Sequence, residues 1–198
     1  MNRRIAQVIA PEVLLQGYRL GVFPMAMENG DIEWFSPNPR GIIPLETFHV
    51  PHALERVLRK GLFEVRIDTS FTAVMRRCAE RPDTWINEEI IRSYTRLHEL
   101  EQAHSVETWL DGKLAGGLYG VSIGGAFFGE SMFHNVTDAS KVALCALVDR
   151  LRAKRFPLLD TQWLTPHLAR FGAVEITRRQ YMHRLAGALG LNRRFAGE

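Results

Sequence analysis

Residues 105–162 read SVETWLDGKLAGGLYGVSIGGAFFGESMFHNVTDASKVALCALVDRLRAKRFPLLDTQ, and their order decides the fold. Three apolar runs, SVETWL, KLAGGLYGVSI and AFFGESMF, are separated by Asp111-Gly112 and Gly124-Gly125. Such dipeptides supply the positive φ that tight hairpins need, so the segment predicts an antiparallel three-strand meander. Residues 139–154 then place Val142, Ala143, Leu144, Leu147, Val148 and Leu151 on one helical stripe, with Thr137 or Asp138 available as a cap. PLLDTQ, 157–162, reads as a further strand. A strand, a crossover helix and a strand imply that AFFGESMF and PLLDTQ run parallel through a right-handed connection.

Working outward, residues 12–20 read as a short helix stopped by Gly21-Val22-Phe23-Pro24, and turn formers fill the chain through Trp34 to Arg40. This predicts a small N-terminal lobe over 1–40 packed on a second domain over 41–198. Residues 51–60 read as a helix with Pro51 in its first turn and Gly61 just past its end. FEVRID, 63–68, is strand-like, and residues 70–80 and 88–103 carry apolar residues at helical spacing. Downstream, Thr165-Pro166 opens a helix closed by Gly172, and AVEI, 173–176, gives a last strand. The expected class is α+β. A meander followed by a parallel strand–helix–strand unit is the order of the acetyltransferase (GNAT) superfamily, in which ligands bind between the two parallel strands. That analogy of fold leaves function open.

With 198 residues, 46% hydrophobic and 24% charged, the chain can bury a core, which excludes disordered and fibrous classes. The N-terminus has Arg3-Arg4 but no signal-type apolar run, and the sequence nowhere has the ~18 consecutive apolar residues of a membrane span. A cytoplasmic protein without a membrane partner is expected. Cys78 and Cys145 fall among helically spaced apolar residues and read as core thiols, and the seven histidines have no metal-ligand spacing. The net charge is only +3, but cations cluster at Arg56, Arg59 and Lys60, at Arg76, Arg77 and Arg81, and at Arg150, Arg152, Lys154 and Arg155. One such cluster is ordinarily a solvated helix face; several together suit a phosphate backbone.

Two segments carry chemistry. In FFGESMF, 127–133, Glu130 sits inside an apolar strand, where a carboxylate needs a cationic or donor partner. That partner is either one of the arginines or a cationic substrate. In LLDTQ, 158–162, strand alternation puts Asp160 and Gln162 on one face. They are either a strand-end pair bonded to nearby backbone or a unit that orients an amine losing its proton, the Asp polarising the Gln. The loop before the long helix, HNVTDASK at 134–141, has no glycine and carries Asp138 where a coenzyme A pyrophosphate would approach. That speaks against coenzyme A and for another activated acyl donor.

The stretch GGLYGVSIGGAFFGESMFHNVTDASKVAL at 116–144, with WFSPNPRGIIPLE at 34–46, TWI at 84–86, LHELEQAHSVETW at 97–109, LLDTQ and TPHLARFGAVEI at 165–176, resembles the leucyl/phenylalanyl-tRNA-protein transferase family. The resemblance implies a GNAT-like domain bearing a small N-terminal lobe, with catalysis at Asp160 and Gln162. It implies an apolar pocket for the donor amino acid at Leu118, Phe127, Leu144 and Leu147, edged by Glu130, and stacking of Trp85 on the terminal adenine of tRNA. Met25 takes a place where many relatives carry Trp, as a second adenine contact or as gap filling, and many relatives also begin with a longer N-terminal segment. The implied tRNA patch is Arg56, Arg59 and Lys60. Implied partners are aminoacyl-tRNA charged with Leu or Phe, and with Met as a further donor, and acceptor proteins with N-terminal Arg or Lys, marked in this way for N-degron degradation. No cofactor or metal is implied. The rival readings are a coenzyme A-dependent N-acyltransferase of the same fold and a noncatalytic RNA-binding module.

Overall fold

The computed structural model describes residues 8–197; residues 1–7, among them Arg3, Arg4 and the start of the N-terminal lobe, and residue 198 lie outside the described residues. Helix α1 (Pro11–Arg19) leads into a hairpin of β1 (Phe23–Ala26) and β2 (Ile32–Phe35). The turn formers of this stretch predict irregular chain; instead Phe23 pairs with Phe35 and Met25 with Glu33. Pro24 is tolerated because the ribbon has only two strands, leaving each with an unpaired edge.

The remaining chain builds one seven-stranded sheet. In order come β3 (Arg40–Ile43), a 3-10 turn over Leu45–Thr47, α2 (His52–Lys60), β4 (Glu64–Ile67), α3 (Phe71–Ala79) and α4 (Glu88–Glu99). The meander follows as β5 (Ala103–Leu110), β6 (Lys113–Ile123) and β7 (Ala126–His134). Then come α5 (Ala139–Ala153), β8 (Leu158–Gln162), α6 (Pro166–Ala169), β9 (Val174–Ile176) and α7 (Arg178–Leu189). Across the sheet the order is β4-β5-β6-β7-β8-β3-β9, with β7 and β8 parallel and the other pairs antiparallel.

Four local details differ from expectation. Helix α4 stops at Glu99 because Ala103 pairs with Val121 in the sheet, and this pairing overrides its helical spacing. Pro51 caps α2 from outside rather than sitting in its first turn, while Gly61 does close it in the left-handed conformation at φ 61°. Asp138 does not cap α5: its own backbone is left-handed at φ 69°, and its Oδ1 accepts from Lys141 Nζ at 2.6 Å. Helix α7, unanticipated, opens with a capping box in which Thr177 accepts from the Gln180 amide and Gln180 reaches back to the Thr177 amide.

The sheet is covered on both faces. One core gathers Leu14 and Tyr18 of α1, Phe23 of β1, and residues of α3, α4 and α7 against Tyr119, Val121, Phe128 and Leu158. The other packs α5 and Leu54 of α2 against Leu118, Phe127 and Leu159. Cys78 and Cys145 are free thiols, one in each core, as their spacing predicts. No helix among the described residues is long and apolar enough to cross a membrane.

Candidate functional site

The site grows out of an irregularity in the centre of the sheet. Strand β7 pairs with β8 only at Ala126–Leu158, Phe127–Leu159 and Phe128–Asp160, and beyond that the two strands separate. On its other side β7 aligns Gly129 with Gly120 and Ser131 with Tyr119, which leaves Glu130 without an opposite residue. Glu130 is therefore the extra residue of a β-bulge, a device that bends a strand and re-aims a side chain. Strand β8 ends beside its antiparallel neighbour β3, where Gln162 stands opposite Gly41. A Cβ on Gly41 would lie 2.5 Å from the Trp163 backbone carbon, so only glycine admits the turn that follows Gln162.

A buried polar network occupies the α7 face at this gap. Asp160 is wholly buried; its Oδ1 accepts from Arg40 Nε at 3.0 Å and from the Gln162 backbone N–H at 2.9 Å. Its Oδ2 accepts from Arg40 Nη2 at 2.7 Å and from Tyr181 Oη at 2.7 Å. Asp160 and Gln162 do share a face, but the link between them runs to the Gln162 backbone. The side-chain amide of Gln162 donates instead to Glu130 Oε1 at 3.3 Å. The same oxygen accepts from Tyr18 Oη at 2.8 Å, and Tyr18 also bonds to the Tyr94 hydroxyl. The partners of Glu130 are thus a phenol and an amide, not an arginine. Burial pushes its carboxyl up to about 8, the Tyr18 hydrogen bond opposes this, the Asp160 charge adds to it and the Arg40 charge counters it. Burial likewise raises Tyr18, Tyr94 and Tyr119, which stay neutral phenols.

Beyond the gap lies a cavity of roughly 820 Å³. Glu130 and Gln162 stand on one side of it, and Leu118, Leu144, Leu147 and Leu159 form an apolar wall on the other. Phe127, expected in that wall, lies in the core behind it, fully buried with its ring 4.8 Å from that of Phe195. Trp85 reaches the cavity half-buried. Met25 does not line it: the hairpin docks through Ala26 N–H to Trp85 O at 3.0 Å, and Phe23 is the residue that meets the cavity. Trp163, exposed in the same cavity, packs edge-on against Phe23 at 5.2 Å. Among the described residues no group of three His, Cys, Asp or Glu could hold a metal ion.

The three basic clusters separate in kind. Arg56, Arg59 and Lys60 are exposed on α2, without an ion pair or hydrogen bond among the described residues. Arg76 and Arg77 pair with Glu88 and Glu80, and Arg81 bonds to the Cys78 carbonyl and Ser131. Arg150 and Arg152 turn inward, to the carbonyls of Phe195 and Gly197 and to that of Leu45. Lys154 and Arg155 of the last cluster also have no side-chain partner among the described residues, so of the three the α2 cluster is the one whose cations are all unpaired.

Sequence reasoning missed Arg40, Tyr18 and Tyr181. Arg40 is 1% exposed, its guanidinium 4.5 Å from the Tyr181 ring centre and 5.2 Å from that of Phe23. Nothing local marks it, since its partner stands 120 residues away.

Comparison with known proteins identifies the family. The family model described as leucyl/phenylalanyl-tRNA protein transferase matches residues 42–186, and the model of that family's N-terminal domain matches residues 8–38. A leucyl/phenylalanyl-tRNA–protein transferase of Gloeobacter violaceus is 55% identical over 188 residues, 94% of this chain and 97% of that protein. The protein of the same name from Paramagnetospirillum magneticum is 56% identical over 187 residues, 91% of this chain and 90% of its own. A solved structure titled "The structure of L-PGS from Bacillus licheniformis" covers 80% of this chain and 55% of that one, with a TM-score of 0.43 and 12% identity. That likeness is too distant to bear on fold or function.

Proposed function

Because the chain belongs to the leucyl/phenylalanyl-tRNA-protein transferase family, we propose that it moves Leu or Phe, with Met as a further donor, from aminoacyl-tRNA to the α-amine of proteins beginning with Arg or Lys. The observation that carries this reading is a single cavity with an apolar wall on one side and the Glu130–Gln162 pair on the other. An aminoacyl side chain suits the first, and an amine with a cationic neighbour suits the second.

The reaction is an aminolysis. The acceptor ammonium releases one proton to the medium, its nitrogen attacks the ester carbonyl, the bond to the 3′ oxygen breaks, and that oxygen leaves as the hydroxyl of free tRNA with the second proton shed by the nitrogen as the amide forms. Since the ester is already activated, positioning can supply most of the rate, up to about 7–11 kcal/mol in favourable cases. Gln162 orients the amine through its side-chain carbonyl while its NH2 is held by Glu130. Glu130, ionised on meeting the cation, seats the Arg or Lys side chain. Trp85 stacks on the terminal adenine, Arg56, Arg59 and Lys60 face the tRNA, and the reaction uses no cofactor.

The wider expectations stand as part of the same proposal. Residues up to about 40 form the N-terminal lobe, supported by the two family-model ranges, with 41–198 as the transfer domain. The parallel pair that splays at a bulge supports a GNAT-like reading of that domain. Action in the cytoplasm, on the N-degron route, follows from the use of charged tRNA and cellular acceptors. The deciding assay gives purified protein labelled Phe-tRNA and an acceptor with N-terminal Arg. Label should enter protein and vanish after ribonuclease; incorporation that survives ribonuclease, or none at all, refutes the assignment.

A further inference from the structure

The Asp160 carboxylate meets four donors, from Arg40 twice, from Tyr181 and from the Gln162 backbone, and it does not line the cavity. At 0% exposure, with each oxygen accepting two hydrogen bonds, it has neither a free lone pair nor a path to an incoming amine. What it does hold is unusual. Gln162 has φ 59°, a left-handed conformation that is uncommon outside glycine and costs a non-glycine residue energy unless its surroundings hold it. Asp160 Oδ1 accepts the N–H of that residue. The turn is then closed by Trp163 N–H to Thr161 O at 2.7 Å and backed by Gly41.

We infer that Arg40 and Tyr181 are positioning residues which, through the buried carboxylate of Asp160, clamp the Gln162 backbone in its left-handed conformation and so aim the Gln162 side chain at Glu130 and the cavity. Asp160 then serves the reaction through a backbone amide and exchanges no proton with substrate. The clamp is assembled from three distant parts of the chain. Arg40 comes from β3 and Tyr181 from α7, and Arg40 Nη1 also donates to Gly21 O at 3.0 Å, which ties the turn after α1 to the reacting strand. A fork-shaped guanidinium suits this task because it fixes the carboxylate plane bidentately, whereas an ammonium holds it only as a point charge.

The inference rests on the transferase reading and is tested with Tyr181→Phe and Arg40→Lys in the full chain. Tyr181→Phe removes one hydrogen bond and keeps the ring, so it should stay folded even if Arg40→Lys does not. With Phe-tRNA and an Arg-starting acceptor, kcat should fall about tenfold to a hundredfold, as for a misplaced reacting group. KM for both substrates and the shape of the pH profile should be unchanged. Hydrogen exchange at the Gln162 amide should accelerate, a readout independent of activity. A wild-type kcat in Tyr181→Phe overturns the inference, as does a loss of activity that only tracks the unfolded fraction. A displaced limb of the pH profile also overturns it, because Asp160 would then be trading protons with substrate. A wild-type chain that transfers nothing refutes the function itself and this inference with it; transfer by wild type with unaffected variants refutes the clamp alone.

Discussion

The Tyr18 hydroxyl on α1 donates to Glu130 Oε1 at 2.8 Å across 112 residues of sequence, placing a neutral donor where a buried carboxylate would ordinarily find a cation. Burial raises the native carboxyl to about 8 against the opposing pull of that hydrogen bond, while an unfolded Glu titrates near 4.3. Between those values the native state binds more protons than the unfolded one, so stability falls as pH rises through this window. We expect Glu130→Gln to flatten the decline of Tm between pH 5.5 and 8.5 by a few °C, as about 2–4 °C per kcal/mol implies for a chain of this size. Parallel melting curves across that range check it; an equal decline in both proteins counts against the raised carboxyl.

The same titration has a functional sign. If the ionised form seats the acceptor's Arg, KM for an Arg-starting peptide should drop as pH rises from 6.5 to 8.5, and Glu130→Gln should abolish that trend. An acceptor whose first residue is neutral should lack the trend with either protein, which separates the effect from titration of the α-amine.

Donor choice should follow the apolar wall. Leu147→Trp fills space and should reduce Phe transfer more than Leu transfer, with tRNA affinity spared, because a shape-selective pocket discriminates by only about 1–3 kcal/mol per methylene. Phe127→Ala should behave differently: a fully buried ring is removed, at a cost of about 3–5 kcal/mol of stability. Its folded fraction should keep the wild-type Phe-to-Leu ratio. A changed ratio would place Phe127 in the pocket.

The α2 cations make no internal bonds among the described residues, so Arg56→Ala, Arg59→Ala and Lys60→Ala combined should leave Tm nearly unchanged. KM for aminoacyl-tRNA should rise, and its salt dependence should flatten by about 0.7–0.9 log units per log unit of salt for each phosphate that is no longer neutralised. An unchanged salt slope removes α2 from the interface. Trp85→Ala should weaken donor binding by about 1–3 kcal/mol with little change in that slope, since stacking releases no counterions.

What could be read from the sequence follows the range of the forces involved. The meander, α5 and β8 are written locally, in Asp111-Gly112, Gly124-Gly125 and a helical stripe, and they form as the pattern predicts. Strand β3 is not: Arg40 to Ile43 is too short to show a period, and it is a strand only because β8 and β9 flank it. Helix α7 has a readable start in Thr177-x-x-Gln180, but its polar body hides it. At the site, Glu130, Asp160 and Gln162 stand out as polar residues in apolar strands. Their partners Tyr18, Arg40 and Tyr181 do not, because a buried arginine or tyrosine looks like any other until the chain closes around it.

The bulge at Glu130 is also a frame shift written into a strand. Before it, odd-numbered residues such as Phe127 face α5; after it the parity reverses, and Met132 faces α5 while Phe133 joins the opposite core. Removing Glu130 alone would let the ladder close with Ser131 still opposite Tyr119, Met132 opposite Leu118 and Phe133 opposite Gly117, each on its present face, whereas a residue lost from the regular part of the strand slips its neighbours by one and turns their side chains over. A deletion at position 130 thus removes the carboxylate and the bend while both cores keep their residues, and a deletion scan along β7 should find its best-tolerated position at this one residue.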